Sequence, residues 1–169
     1  MTDFEIVERA IGPVVEIEET VPVWRMPSVF GRDYKRIAGY IQAQGAKISG
    51  MAYAHYLDMD WERELGRGKL STLLSMPFKR WHFFAGMPSS SHLERSGDLL
   101  TKVIGNKRYA RAIYRGPYRE VSETYKALSD WVKQQQLSMQ NEVYEFYLND
   151  PREVGLENTE TEILVPLRG

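Results

Sequence analysis

Cysteine is absent from the chain, which excludes a disulfide framework and all thiolate chemistry, whether nucleophilic or metal-binding. Histidine is scarce: His55, His82 and His92 are the whole complement, and no two stand at helical i, i+4 spacing. A zinc site would have to be assembled from scattered parts, so neither a metal nor any other cofactor is expected. An excess of one charge is lacking too. The 22 Lys and Arg against 23 Asp and Glu leave a net charge of −1, which gives no field able to hold nucleic acid or an anionic membrane. Long apolar runs are missing: no stretch approaches the ~20 residues of a membrane span, and Met1–Glu5 opens without a signal-peptide core. The expected address is the cytoplasm, with no nucleic-acid or membrane partner.

Familiar catalytic motifs are lacking as well. Gly66-Arg67-Gly68-Lys69-Leu70 lacks the spacing of a phosphate loop and reads as a solvated loop. Ser91-His92 are neighbours whose side chains diverge in an extended segment, so they form no nucleophile and base pair. Arg108, Arg111 and Arg115 read as a solvated strand face rather than a basic stripe.

What is present is enough material for one globular core. A chain of 169 residues buries roughly 70% of its unfolded surface. Period-two alternation predicts strands over 15–28, 51–57, 78–86, 107–115, 142–148 and 161–167, with Pro22 at or near an edge. Three- and four-residue spacing predicts helices over 33–44, ended by Gly45, and over 120–136. The segment 58–76 reads as a loop.

The order strand-helix-strand-strand thus occurs twice, and Tyr56-Leu57-Asp58 is echoed by Tyr147-Leu148-Asn149. The expected fold is α+β: a tandem, pseudo-twofold pair of modules forming an antiparallel sheet with two main helices and a central pocket. Module one spans about 13–88, a connector about 89–105 and module two about 106–169. Neither half buries a closed core alone, so the crevice on the axis is the natural ligand pocket.

The aromatic load, with four Trp, ten Tyr and six Phe, suits a pocket for a flat, apolar or cationic molecule. Tyr56, Trp81, Tyr114 and Tyr147 on the strands, with Phe83 and Trp24, are the candidate ligand-binding residues; Tyr125, Leu128 and Ile37 read as helix core. Glu162 shares a strand face with Leu164 beside an apolar stretch. By pattern alone it is a solvated strand-end glutamate; drawn inside, it would need a partner or a raised pKa.

These pieces carry a resemblance. Tyr114-Arg115-Gly116-Pro117-Tyr118, the helix with Tyr125, Leu128 and Trp131, the run Tyr144-Glu145-Phe146-Tyr147-Leu148-Asn149-Asp150-Pro151 and the strand Thr161-Glu162-Ile163-Leu164-Val165-Pro166 resemble the gyrase-inhibitor-like effector-binding domain. The match covers the second half, and the first half joins it through its echo. The resemblance implies a tandem of two modules around a pocket, with the acid of the Thr-Glu-Ile strand, Glu162 here, facing that pocket. It also implies three kinds of activity. The first is binding of an aromatic or cationic small molecule with Glu162 as the buried anion. The second is hydrolysis of electrophilic cyclopropane compounds, with Glu162 activating water and Tyr147 or Tyr114 assisting the leaving group. The third is a protein-interaction role as a gyrase inhibitor. About a dozen residues precede the first expected strand, fewer than the ~50 of a separate domain, so a one-component transcription factor is not expected.

Overall fold

The computed structural model describes residues 3–66 and 79–169. Six antiparallel strands, β1 (Phe4–Pro22), β2 (Tyr53–Tyr56), β3 (Arg80–Pro88), β4 (Leu100–Arg115), β5 (Val143–Tyr147) and β6 (Glu160–Pro166), close into a ring in the order β1-β3-β2-β5-β6-β4. Two long helices, α1 (Met26–Ala43) and α2's larger successor α3 (Val121–Gln134), pack on one face of the strands, while α2 (Trp61–Gly66) and α4 (Pro151–Val154) are short. The twofold repetition of element order is present, β1-α1-β2-β3 followed by β4-α3-β5-β6. Among the described residues no helix is long and apolar enough to cross a membrane.

The strands run longer than hydrophobic alternation indicates. β1 begins at Phe4 because its early charges are used across the ladder: Glu5 lies opposite Arg111 and pairs with it, and Arg9 reaches Glu162. Gly12 has φ of +86°, and there the side-chain parity changes: Val7 and Ile11 share a face with Val14, not with Val15. β4 likewise starts at Leu100, inside the stretch expected to be a connector. The first helix starts seven positions earlier than its apolar spacing indicates, because Pro27 sits in its first turn, where a missing N–H costs nothing. The segment after Asp58, expected as a loop, forms α2 at Trp61–Gly66; most of the Gly66–Leu70 motif and the start of the expected third strand at Phe78 lie outside the described residues.

The helix-bearing face holds the larger core, where Ala54, Phe83, Ala85, Ala110, Ala112, Ile163 and Val165 from the strands meet Val29 of α1 and Tyr125, Leu128 and Val132 of α3. The opposite face carries Val14, Tyr53, Tyr109, Tyr144, Phe146 and Leu164. Tyr53 lies across Gly86 so closely that a Cβ there would stand 2.4 Å from its ring. The Tyr53 hydroxyl then donates to buried Glu16, 2.5 Å away, which Lys102 neutralises at 3.0 Å.

Candidate ligand-binding site

Strand parity puts one acid on the helix-bearing face at the centre of the ring. In β5, Val143, Glu145 and Tyr147 face the helices while Tyr144 and Phe146 face away. Glu145 lies opposite Ala54 on β2 and Ile163 on β6, both small or apolar and fully buried, so neither neighbouring strand offers it a charge. Its donors are phenols. The Tyr125 hydroxyl, brought down from α3, donates to Oε1, and the Tyr147 hydroxyl donates to Oε2 at 3.3 Å. The Tyr56 and Tyr147 hydroxyls lie 3.5 Å apart, which extends the chain of phenols to β2.

A carboxyl group so placed has lost its water without gaining a cation from the described residues. Burial pushes Glu145 above the usual glutamate range, and the Tyr125 and Tyr147 hydrogen bonds recover only part of that shift. The same burial, followed by the charge of Glu145, pushes the Tyr125 and Tyr56 hydroxyls well up, so they stay proton donors at ordinary pH. Rings complete the enclosure. Phe30 of α1 packs on Phe83 at 5.0 Å and on Tyr147 at 6.0 Å, Tyr118 meets Tyr147 edge-on at 5.8 Å, and Trp61 of α2 covers Tyr125 at 5.6 Å. The Tyr34 hydroxyl donates to the Tyr53 carbonyl at 2.8 Å, fixing a second α1 ring against Tyr147.

Of the residues singled out from the sequence, Tyr56, Phe83, Trp81 and Tyr147 converge here. Trp81 packs edge-on against Tyr56, with its indole nitrogen buried and without a partner among the described residues. A cleft of about 660 Å³ opens beside Trp81, between Met59, Asp60, Glu64 and His82. Glu145 is not among the residues that line it.

Three candidates stand elsewhere. Glu162 points to the other face of β6, since Thr161, Ile163 and Val165 take the helix side. There it is held by Arg111 Nε at 2.8 Å and by Arg9. Burial alone would raise it, but these two guanidiniums outweigh burial and hold it below the usual carboxylate range. Tyr114 is buried in the core, yet its hydroxyl is spent on the Pro117 carbonyl at 2.7 Å, closing the turn before α3. Trp24 is 71% exposed in the turn before α1. Glu145 was missed, although its signal was available: it stands two residues before Tyr147 on the same strand and must share its face. Tyr125 was assigned to packing, which it also does.

Comparison with known proteins identifies the family and the fold. A family model described as the GyrI-like small molecule binding domain matches residues 80–168. No curated protein matches the sequence. Among solved structures, the EcmrR–DNA complex aligns with a TM-score of 0.73 at 18% identity, covering 99% of this chain and 57% of that one; this chain therefore spans little more than half of EcmrR. SAV2435 bound to tetraphenylphosphonium gives 0.60 at 13% identity, covering 99% and 94%. A hydrolase encoded by lin2189 from Listeria innocua gives 0.64 at 10% identity, covering 97% and 92%. At these identities the likeness is one of fold.

Proposed function

Because the chain belongs to the GyrI-like small molecule binding domain family, we propose that it binds a flat or aromatic organic cation among the rings around Glu145. The observation that carries this reading is a buried carboxyl whose hydrogen-bond partners among the described residues are phenols. A cation slotted among the rings supplies such a group with a positive partner while gaining attraction from their π faces. Tyr147, Tyr56, Phe83 and Trp81 supply stacking surface, and Trp81, packed on Tyr56, also lines the open cleft. The capture of tetraphenylphosphonium by SAV2435, a protein of similar fold, supports this choice of ligand chemistry.

Titration with tetraphenylphosphonium and with a planar cationic dye, followed by tryptophan fluorescence, tests the reading. Wild type and Glu162→Gln bind alike, and Glu145→Gln loses about tenfold or more in affinity, the worth of roughly 1.4 kcal/mol. Equal binding by Glu145→Gln would remove the carboxyl from recognition.

The raised pKa of Glu145 beside two phenols favours one further reading, hydrolysis of a strained electrophile. In that reading ionised Glu145 takes a proton from water as its oxygen bonds to ring carbon. The ring bond breaks, and Tyr147 protonates the departing carbon, regaining its proton from the carboxyl. Ring-opened product from a cyclopropane-bearing alkylator, detected by mass spectrometry in wild type and absent in Glu145→Gln, separates catalysis from binding.

A further inference from the structure

The first helix buries an acid where its counterpart buries a leucine. Asp33 lies on the inner face of α1 with Val29, Ile37 and Ile41, is 0% exposed, and leaves Oδ2 without a donor among the described residues. At the same spacing beyond Pro117 that Asp33 keeps from Pro22, α3 carries Leu128, which is equally buried. Packing a helix on this sheet therefore needs no carboxyl at that place. Glu19 of β1 lies within hydrogen-bond reach of Asp33, and its counterpart by the same spacing is Tyr114. Both acids are peculiar to the first half.

Arg32 touches both, with Nε 2.8 Å from Asp33 Oδ1 and a terminal nitrogen on Glu19. One guanidinium balances one carboxylate. The second charge would stand against the first beside buried Asp33, and a proton kept on Glu19 and donated to Asp33 removes that repulsion. We propose that protonated Glu19 bonds Asp33 and forms a pH-responsive latch between β1 and α1, the helix that supplies Phe30 and Tyr34 to the rings around Glu145.

Few other charges face the pair. α1 contributes Arg32 and Arg36, Arg36 is itself engaged by Asp98 of the segment before β4 at 2.6 Å, and the β3 residue opposite Glu19 is the apolar Phe83. Burial first, and then the hydrogen bond and charge of Asp33, push Glu19 above the usual glutamate range. An acid whose folded-state pKa is raised adds stability that is complete below its unfolded value of about 4.3 and is lost as pH climbs through the folded value. Raising the pH therefore removes the Glu19 proton, leaves two charges on one Arg32 and loosens α1. Phe30 and Tyr34 move with it, and the wall they make against Phe83 and Tyr147 slackens.

Hydrogen exchange of α1 amides between pH 5 and pH 8.5, corrected for intrinsic exchange and referred to α3, tests the latch without any ligand. In wild type, α1 protection falls by about tenfold relative to α3 across that range. In Asp33→Asn the carboxamide donates permanently to Glu19, and the profile is flat. Glu19→Gln, which gives the same fixed hydrogen bond from the other side, serves if Asp33→Asn does not fold. A pH-independent wild type, or a variant with the wild-type slope, overturns the proposal. The link to ligand uptake rests on the binding role proposed for Glu145 and is read separately, as a dye association rate that rises with pH in wild type only. Absence of dye binding would defeat that role and leave the exchange result standing.

Discussion

Glu145 and Ala54 face each other across the β5–β2 pair, and each stands two residues before the tyrosine that opens a Tyr-Leu-Asp or Tyr-Leu-Asn turn. Corresponding positions of the two halves thus meet at one point. One half supplies a carboxyl there and the other a methyl group, which leaves a single acid among the rings.

On the proposed function, that acid would make cation binding a proton-exchange reaction. With its pKa raised by burial, Glu145 holds its proton to higher pH than an ordinary glutamate, and a bound cation favours the ionised form. Below the raised pKa, binding releases up to one proton and affinity climbs by at most about tenfold per pH unit; above it the dependence levels off. Calorimetric titration with tetraphenylphosphonium in two buffers of different ionisation heat measures the release, and Glu145→Gln abolishes it.

Glu162 yields the opposite signature. It is held below the usual range by Arg9 and Arg111, so its stabilisation is present above about 4.3 and lost as pH falls. Glu162→Gln lowers the urea midpoint at pH 7, by about 1–3 kcal/mol for a half-sheltered charged hydrogen-bond network. The gap from wild type narrows toward pH 3, and dye affinity is unchanged.

Gly86 is required by its neighbour rather than by its own backbone angles. A Cβ there would lie 2.4 Å from the ring of fully buried Tyr53, and that ring cannot swing away without breaking its hydrogen bond to Glu16. Gly86→Ala is expected to cost about 1–3 kcal/mol of stability, the usual price of overpacking. Replacing Tyr53 by Leu in the Gly86→Ala background recovers part of the loss in thermal melting, whereas Tyr53→Leu alone destabilises.

The element order and the duplication were legible because they rest on periodicity, which a single chain displays. Val143 to Tyr147 alternates cleanly and became a strand as expected. The first ten residues of β1 were not legible, because Glu5, Glu8 and Arg9 read as solvent-facing until the ladder supplies Arg111 and Glu162 as partners. The side on which Glu162 lies was not legible for a related reason. Pattern alone gives a solvated strand-end glutamate and the family resemblance places it in the pocket; it is buried, on the face that carries two arginines. Which face of β6 meets the helices follows from its register with β5, where Ile163 stands opposite Glu145, and that long-range pairing is not written in local pattern. Asp33 was similarly hidden, since one polar residue within an amphipathic helix does not reveal whether it lies above solvent or above another acid.

β1 bonds to β4 over Phe4–Glu16 and to β3 over Val14–Pro22, so among the described residues only Val14, Val15 and Glu16 are bonded to a strand on both sides and each arm of β1 keeps one open main-chain edge. An edge of that kind can accept a further strand, and the charges of Glu5, Glu8 and Arg9 along the first arm oppose such an addition.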